Sequence, residues 1–145
     1  MSARCAIVVG RFSADLAERL VSGAQAALAD GGAPAADVFD VPGAFELPMA
    51  AQLCAQSGRY DAVICLGAVI RGETDHYDYV CAEAARGIQD VQLRTGVPCS
   101  FGVLTVDTHE QALARSGGDT RDSGRHAADA VLALLAIRER LAAEE

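Results

Sequence analysis

Apolar and polar positions along the chain fall into a repeating pattern of short unbroken apolar runs followed by amphipathic stretches. Cys5 to Val9 and Ala62 to Leu66 are such unbroken runs, the mark of strands buried on both faces, and Val38 to Val41 and Cys99 to Leu104 read as the two further strands. Between them the spacing turns helical. Leu16, Leu20, Ala24, Ala27 and Leu28 form one stripe, with Ser13 placed to cap the helix and Gly31-Gly32 to stop it. Phe45, Met49, Leu53 and Cys54 predict a second helix ending before Gly58. A long third helix runs from about His76 to Arg94, its inner face carrying Tyr77, Val80, Cys81, Ala84, Ile88 and Val91. Thr108-His109-Glu110-Gln111 has capping-box spacing and opens a short helix through Arg115. Ser116 to Gly124 is polar and glycine-rich and reads as a loop, and the last helix has Val131, Leu134, Leu135 and Leu141 facing inward.

Strands separated by helices require right-handed crossovers and a parallel sheet covered on both sides. The expectation is a three-layer α/β/α sandwich around about four strands. Its strand ends should share one rim: Gly10-Arg11-Phe12, Pro42 to Glu46, Gly67 to His76, and Leu104-Thr105-Val106. Ligands of open α/β sheets bind at that rim, where helix N-termini favour anions.

Length changes the picture little: 145 residues with no dividing linker suit one domain. Charge narrows it. A formal net charge of −8 without a basic cluster argues against nucleic acid. No apolar run is long enough to span a bilayer and no signal peptide is visible, so no membrane partner is expected. Five cysteines without a CxxC, three of them in predicted strands, suit a reduced cytoplasmic setting. The three histidines are scattered, so no metal site is expected, and neither His109 nor His126 is given a role. Lysine is absent altogether. That excludes an enzyme-bound Schiff base, pyridoxal phosphate chemistry and a GxxxxGK[ST] phosphate loop. Any imine must draw its nitrogen from a substrate.

The most informative residues are GAVIRGETDHYDYV, Gly67 to Val80. A buried strand empties into a turn, and a histidine begins the next helix. Imidazole exchanges a proton near neutrality, so this position suits acid–base work on an anionic small molecule.

Together with VVGRF (Val8 to Phe12), VPGAFELP (Val41 to Pro48), FGVLT (Phe101 to Thr105) and EQALARSG (Glu110 to Gly117), this segment resembles the 6,7-dimethyl-8-ribityllumazine synthase family. The likeness runs from about Ile7 to the end of the chain. It implies a flavodoxin-like fold and condensation of 5-amino-6-ribitylaminouracil with 3,4-dihydroxy-2-butanone 4-phosphate, without metal or organic cofactor. It implies His76 as proton donor and acceptor. Phe12 would stack on the pyrimidine, and Ala44, Phe45, Glu46, Ala68, Val69 and Ile70 would line its site. Glu73 and Thr74 would hold the ketone phosphate through backbone N–H groups and a hydroxyl, with Arg115 as the cation. Phe101 and Arg115 would reach the site of a neighbouring subunit, making a homo-oligomer, a pentamer, with shared sites. The short stretch ahead of the first strand favours a free pentamer over a larger shell.

One departure stands out. Family members often carry a lysine in the glycine-rich loop, whereas this chain has Asp122-Ser123-Gly124 there; Arg121 or Arg125 are the candidate substitutes. Two other readings share the residues. A flavin- or lumazine-binding module would copurify with a yellow ligand and form no product. The archaeal kind of riboflavin synthase would dismutate lumazines instead. The intact GAFE and GETDH motifs favour the lumazine-forming step.

Overall fold

The computed structural model describes residues 3–72, 76–117 and 121–144. Four strands, β1 (Cys5–Gly10), β2 (Asp37–Val41), β3 (Ala62–Ile70) and β4 (Cys99–Val106), pair in the order β2-β1-β3-β4, all parallel. β1 and the first five residues of β3 are buried along their whole length, as unbroken apolar runs in a covered sheet must be. Helices α1 (Ala14–Asp30), α4 (His109–Ala114) and α5 (Ser123–Ala143) lie on one face; α2 (Leu47–Gln56) and α3 (His76–Thr95) cover the other. The expected sandwich is the observed one.

Register creates the site. β1 pairs with β3 only as far as Val9 opposite Leu66, whereas β3 and β4 run on together to Ile70 opposite Val106. Residues Ala68, Val69 and Ile70 therefore stand beyond the end of β1, and their main-chain groups on that side face no strand. The step lies between β1 and β3, where connections leave in opposite directions, the switch point at which such sheets bind ligands.

Helix α1 buries Leu16, Leu20, Ala24, Ala27 and Leu28 as predicted. Ser13 occupies its N-cap position, but the side chain makes no capping bond. Thr108 does cap α4, its Oγ1 accepting from Gln111 N–H at 3.1 Å, while the Gln111 side chain turns to the N–H of Asp107 (2.7 Å). On α3 the inner stripe is Val80, Ala84, Ile88 and Val91; Tyr77 and Cys81 are half-buried and Tyr79 is exposed.

Two stripes differ from the sequence reading. On α2 the sheet-facing residues are Leu47, Ala51, Cys54 and Ala55, leaving Phe45, Met49 and Leu53 exposed. A turn of 3₁₀ helix (Ala44–Glu46) precedes α2 and Pro48 sits in its first turn, so the helical phase begins later than the apolar spacing suggested. On α5 the inner face is Gly124, Ala127, Ala128, Val131 and Leu135, with Leu134 and Leu141 outward. In both, small residues beside Leu47, or beside Val131 and Leu135, meet the layer beneath and allow close approach, while Met49, Leu53, Leu134 and Leu141 remain outside. The polar loop is also shorter than expected: α5 starts at Ser123, capped by Asp122 Oδ1 accepting from Arg125 N–H at 3.0 Å.

All five cysteines are free thiols. Burial pushes Cys5 up to about 11 and Cys99 up to about 12, and raises the wholly enclosed Cys65 well above the ordinary thiol range. At pH 8 these three should stay unmodified by a thiol reagent until denaturant is added. Prompt reaction of any of them in the native protein contradicts this packing.

Candidate active site

The step in the sheet opens into a cleft of about 360 Å³ lined by Phe12, Gly43, Ala44, Phe45, Glu46, Ala68, Val69, Ile70, His76 and Val80. Four separate segments meet there. Phe12 follows β1, the 3₁₀ turn Ala44–Glu46 follows β2, Ala68 to Ile70 close β3, and His76 opens α3. Glycine at position 10 makes the junction possible. A Cβ there would lie 3.0 Å from the Gly43 carbonyl carbon and 3.3 Å from the Ala44 nitrogen, so the two rim loops touch at that point.

Phe12 is 87 % exposed and Phe45 59 %. Two aromatic rings left this open beside a cleft offer flat apolar faces, and core packing does not account for either. Ala44 is buried beneath them. Glu46 Oε1 accepts the Gly43 N–H at 2.9 Å, which fixes the carboxylate at the cleft edge and leaves its other lone pairs for a ligand. His76 is exposed and lines the opposite wall as the first residue of α3. The described residues that line it include no arginine, so a phosphate needs a guanidinium from elsewhere.

Glu73 and Thr74, expected at the phosphate, lie outside the described residues, as does Asp75. The chain on either side of them is firmly tied. Arg71 Nε donates to Asp107 Oδ1 at 2.9 Å, its guanidinium lies 4.2 Å over the Tyr77 ring, and Asp78 is 3.9 Å away. This clasp joins the ends of β3 and β4 to the first turn of α3, and raises the Arg71 pKa chiefly through the Asp107 bond. Spacing alone did not single out Arg71; its place between a strand end and the GETDH turn was the available signal.

Phe101 and Arg115 do not line this cleft. Phe101 pairs with Cys65, five positions before the rim, on the outer strand β4. That is roughly 16 Å along the sheet from the strand end. Phe101 is 44 % exposed and borders a second, larger cleft of about 580 Å³ between α3, β4 and α5. Arg115 caps the C-terminus of α4, half-buried, without a side-chain partner among the described residues. His109 pairs with Asp15 at 3.0 Å, tying α4 to α1. His126 borders the second cleft.

A parallel sheet stepped at its switch point, with exposed rings, a carboxylate and an imidazole around the step, has the form of the ligand-binding rim of an open α/β protein. The sequence model of 6,7-dimethyl-8-ribityllumazine synthase matches residues 2–139. A relative of that name from Salinibacter ruber (strain DSM 13855 / M31) is 49 % identical over 140 residues, covering 95 % of this chain and 90 % of its own. Another of that name, from Desulfatibacillum aliphaticivorans, is 48 % identical over 138 residues, covering 94 % and 89 %. The chain belongs to the 6,7-dimethyl-8-ribityllumazine synthase family.

Proposed function

We propose that this chain condenses 5-amino-6-(D-ribitylamino)uracil with 3,4-dihydroxy-2-butanone 4-phosphate to 6,7-dimethyl-8-ribityllumazine, a transferase step of riboflavin biosynthesis. The observation that carries the reading is convergence: Phe12, Ala44, Phe45, Glu46, Ala68, Val69, Ile70 and His76, from four segments, surround one cleft.

The substrate amine adds to the ketone and loses water to form an imine. Phosphate leaves from the neighbouring carbon chain, and the second nitrogen closes the ring with loss of another water. No enzyme nucleophile is needed, in keeping with a chain without lysine. Positioning and proton transfer are the protein's share. Phe12 stacks on the pyrimidine, the main chain of Ala68 to Ile70 meets its polar edge, and Glu46 accepts from ribityl hydroxyls. His76 gives a proton to the departing hydroxyl and takes one during elimination. Glu73 and Thr74 seat the phosphate.

The shared-site arrangement rests on shape. The β4 edge is flanked by a groove with exposed Leu93, Leu134, Ile137 and Leu141, whereas Phe12 and Phe45 at the rim cleft and Met49 and Leu53 on α2 are exposed apart from that groove. Two unlike apolar faces on one chain suit head-to-tail association, which closes into rings. A pentamer places the Phe101 and Arg115 of one subunit against the His76 cleft of the next. The chain works as a single domain in a reduced cytoplasm, without metal, organic cofactor, nucleic acid or membrane. No helix among the described residues is long and apolar enough to cross a membrane.

Mixing the purified protein with both substrates and following lumazine absorbance tests the activity; no product would sink it. A mixture tests the sharing. His76→Ala and Arg115→Ala subunits, each strongly impaired alone, should regain about a quarter of wild-type activity when unfolded and reassembled together in equal amounts, since one neighbouring pair in four recombines intact groups. No recovery places both groups in one subunit. Phe12→Ala should raise KM for the pyrimidine about tenfold, the usual worth of an aromatic under a base, with KM for the ketone phosphate unmoved; steady-state kinetics with each substrate varied checks this.

A further inference from the structure

Arg4, Arg115 and Arg121 alone among the arginines have no side-chain partner among the described residues. Every other arginine holds a carboxylate, a carbonyl, a hydroxyl or a ring. Arg4 sits at the far end of the sheet, just before β1. Arg115 and Arg121 share one small antiparallel turn. Ser116 bridges Asp122, Arg121 N–H donates to the Ala114 carbonyl (3.1 Å), Gly117 N–H to the Arg121 carbonyl (3.0 Å), and Ser123 N–H to the Arg115 carbonyl (2.9 Å). Arg19 of α1 braces the turn from beneath, reaching Ser116 Oγ and the Leu113 carbonyl, both at 3.0 Å. A turn tied by so many bonds carries two guanidinium groups that have no side-chain partner among the described residues.

Arg121 lines the 580 Å³ cleft beside Phe101, Ser123 and His126. The wall also holds Ser100, a buried hydroxyl without a hydrogen-bond partner among the described residues, which is unusual unless something completes it. Asp122, next to Arg121 in the chain, is committed to the α5 N-terminus by accepting from Arg125 N–H. The Arg125 guanidinium is itself committed, donating to Asp30 of α1 at 2.9 Å.

We propose that Arg121, and not Arg125, is the second cation for the phosphate monoester substrate, acting beside Arg115 from the subunit that completes a neighbour's cleft. This rests on the shared-site reading above. Arg121 binds the phosphate group and stands in for the charge that Ser123 does not carry, so it sets affinity for the ketone phosphate and not for the pyrimidine.

The test uses inorganic phosphate as a competitive inhibitor of the intact enzyme. Arg121→Ala should raise both the phosphate inhibition constant and KM for the ketone phosphate about tenfold, the worth of one charge-assisted bond. KM for the pyrimidine should stay within about twofold, a split that merely structural damage does not produce. Ser123→Lys in the Arg121→Ala background should recover most of the loss, and Arg125→Ala alone should leave all three constants unchanged. Arg121→Ala constants at wild-type values, or an equal rise in both KM values, overturn the inference. A wild-type protein that forms no lumazine overturns the parent reading instead. Calorimetric titration of phosphate into wild type and Arg121→Ala then decides about Arg121 separately, equal affinities ruling it out.

Discussion

Replacing His76 by alanine is expected to lower kcat for lumazine formation about a hundredfold, the low end of what a general acid–base group contributes. The low end applies because stacking, the phosphate contacts and the alignment of two reactants survive the substitution, and these supply much of the rate. The side chain is exposed at the first position of α3, outside both cores. Melting temperature and assembly state, measured on the same variant, separate any structural effect from the kinetic one. Added imidazole should restore part of the lost rate, whereas His76→Asn, which keeps a polar group of similar size, should not. Progress curves at saturating concentrations of both substrates make the measurement. A variant turning over at the parent rate removes His76 from the mechanism and leaves the cleft as a binding site only.

Gly124→Ala is expected to be the most damaging single-methyl change to stability, costing about 3 kcal/mol or more. A Cβ at position 124 would collide with the Leu20 carbonyl oxygen and lie 2.9 Å from the Leu20 carbonyl carbon, both fixed backbone atoms inside α1. Neither can rotate aside, so α1 and α5 must separate. For a chain of this length the melting temperature should fall by roughly 10 °C, readable by calorimetry or circular dichroism. The displacement also reaches function, because Gly124 immediately follows the turn that carries Arg115 and Arg121. At a temperature where the variant remains folded, KM for the ketone phosphate should rise more than KM for the pyrimidine. An unchanged melting temperature contradicts the α1–α5 contact.

These two residues show what was legible in the chain. His76 was visible because strand, glycine turn and helix start follow one another locally, and local order places a residue at a strand end whatever surrounds it. Gly124 was read as loop. Its importance comes from Leu20, about a hundred residues away, and nothing in its own neighbourhood signals that contact. The α2 and α5 stripes failed for a related reason. An apolar side chain reports that it avoids water and does not say which layer covers it. Met49, Leu53, Leu134 and Leu141 are apolar and outward, while Ala51, Ala55, Ala127 and Ala128 do the packing. The largest apolar residues are a poor guide to phase where a helix has two apolar faces.

What the sequence determined by itself is the alternation of buried strands and helices, the parallel sheet that alternation requires, and the identity of the rim residues, since each depends on spacing within one segment. Only the tertiary structure decided how far each strand runs past its neighbour, which opens the cleft between β1 and β3. The same register holds Phe101 away from it. Pairing across distance also separated Arg125, held by Asp30, from Arg121, which has no side-chain partner among the described residues: two arginines alike in the chain differ once a carboxylate from another helix lies within reach of one.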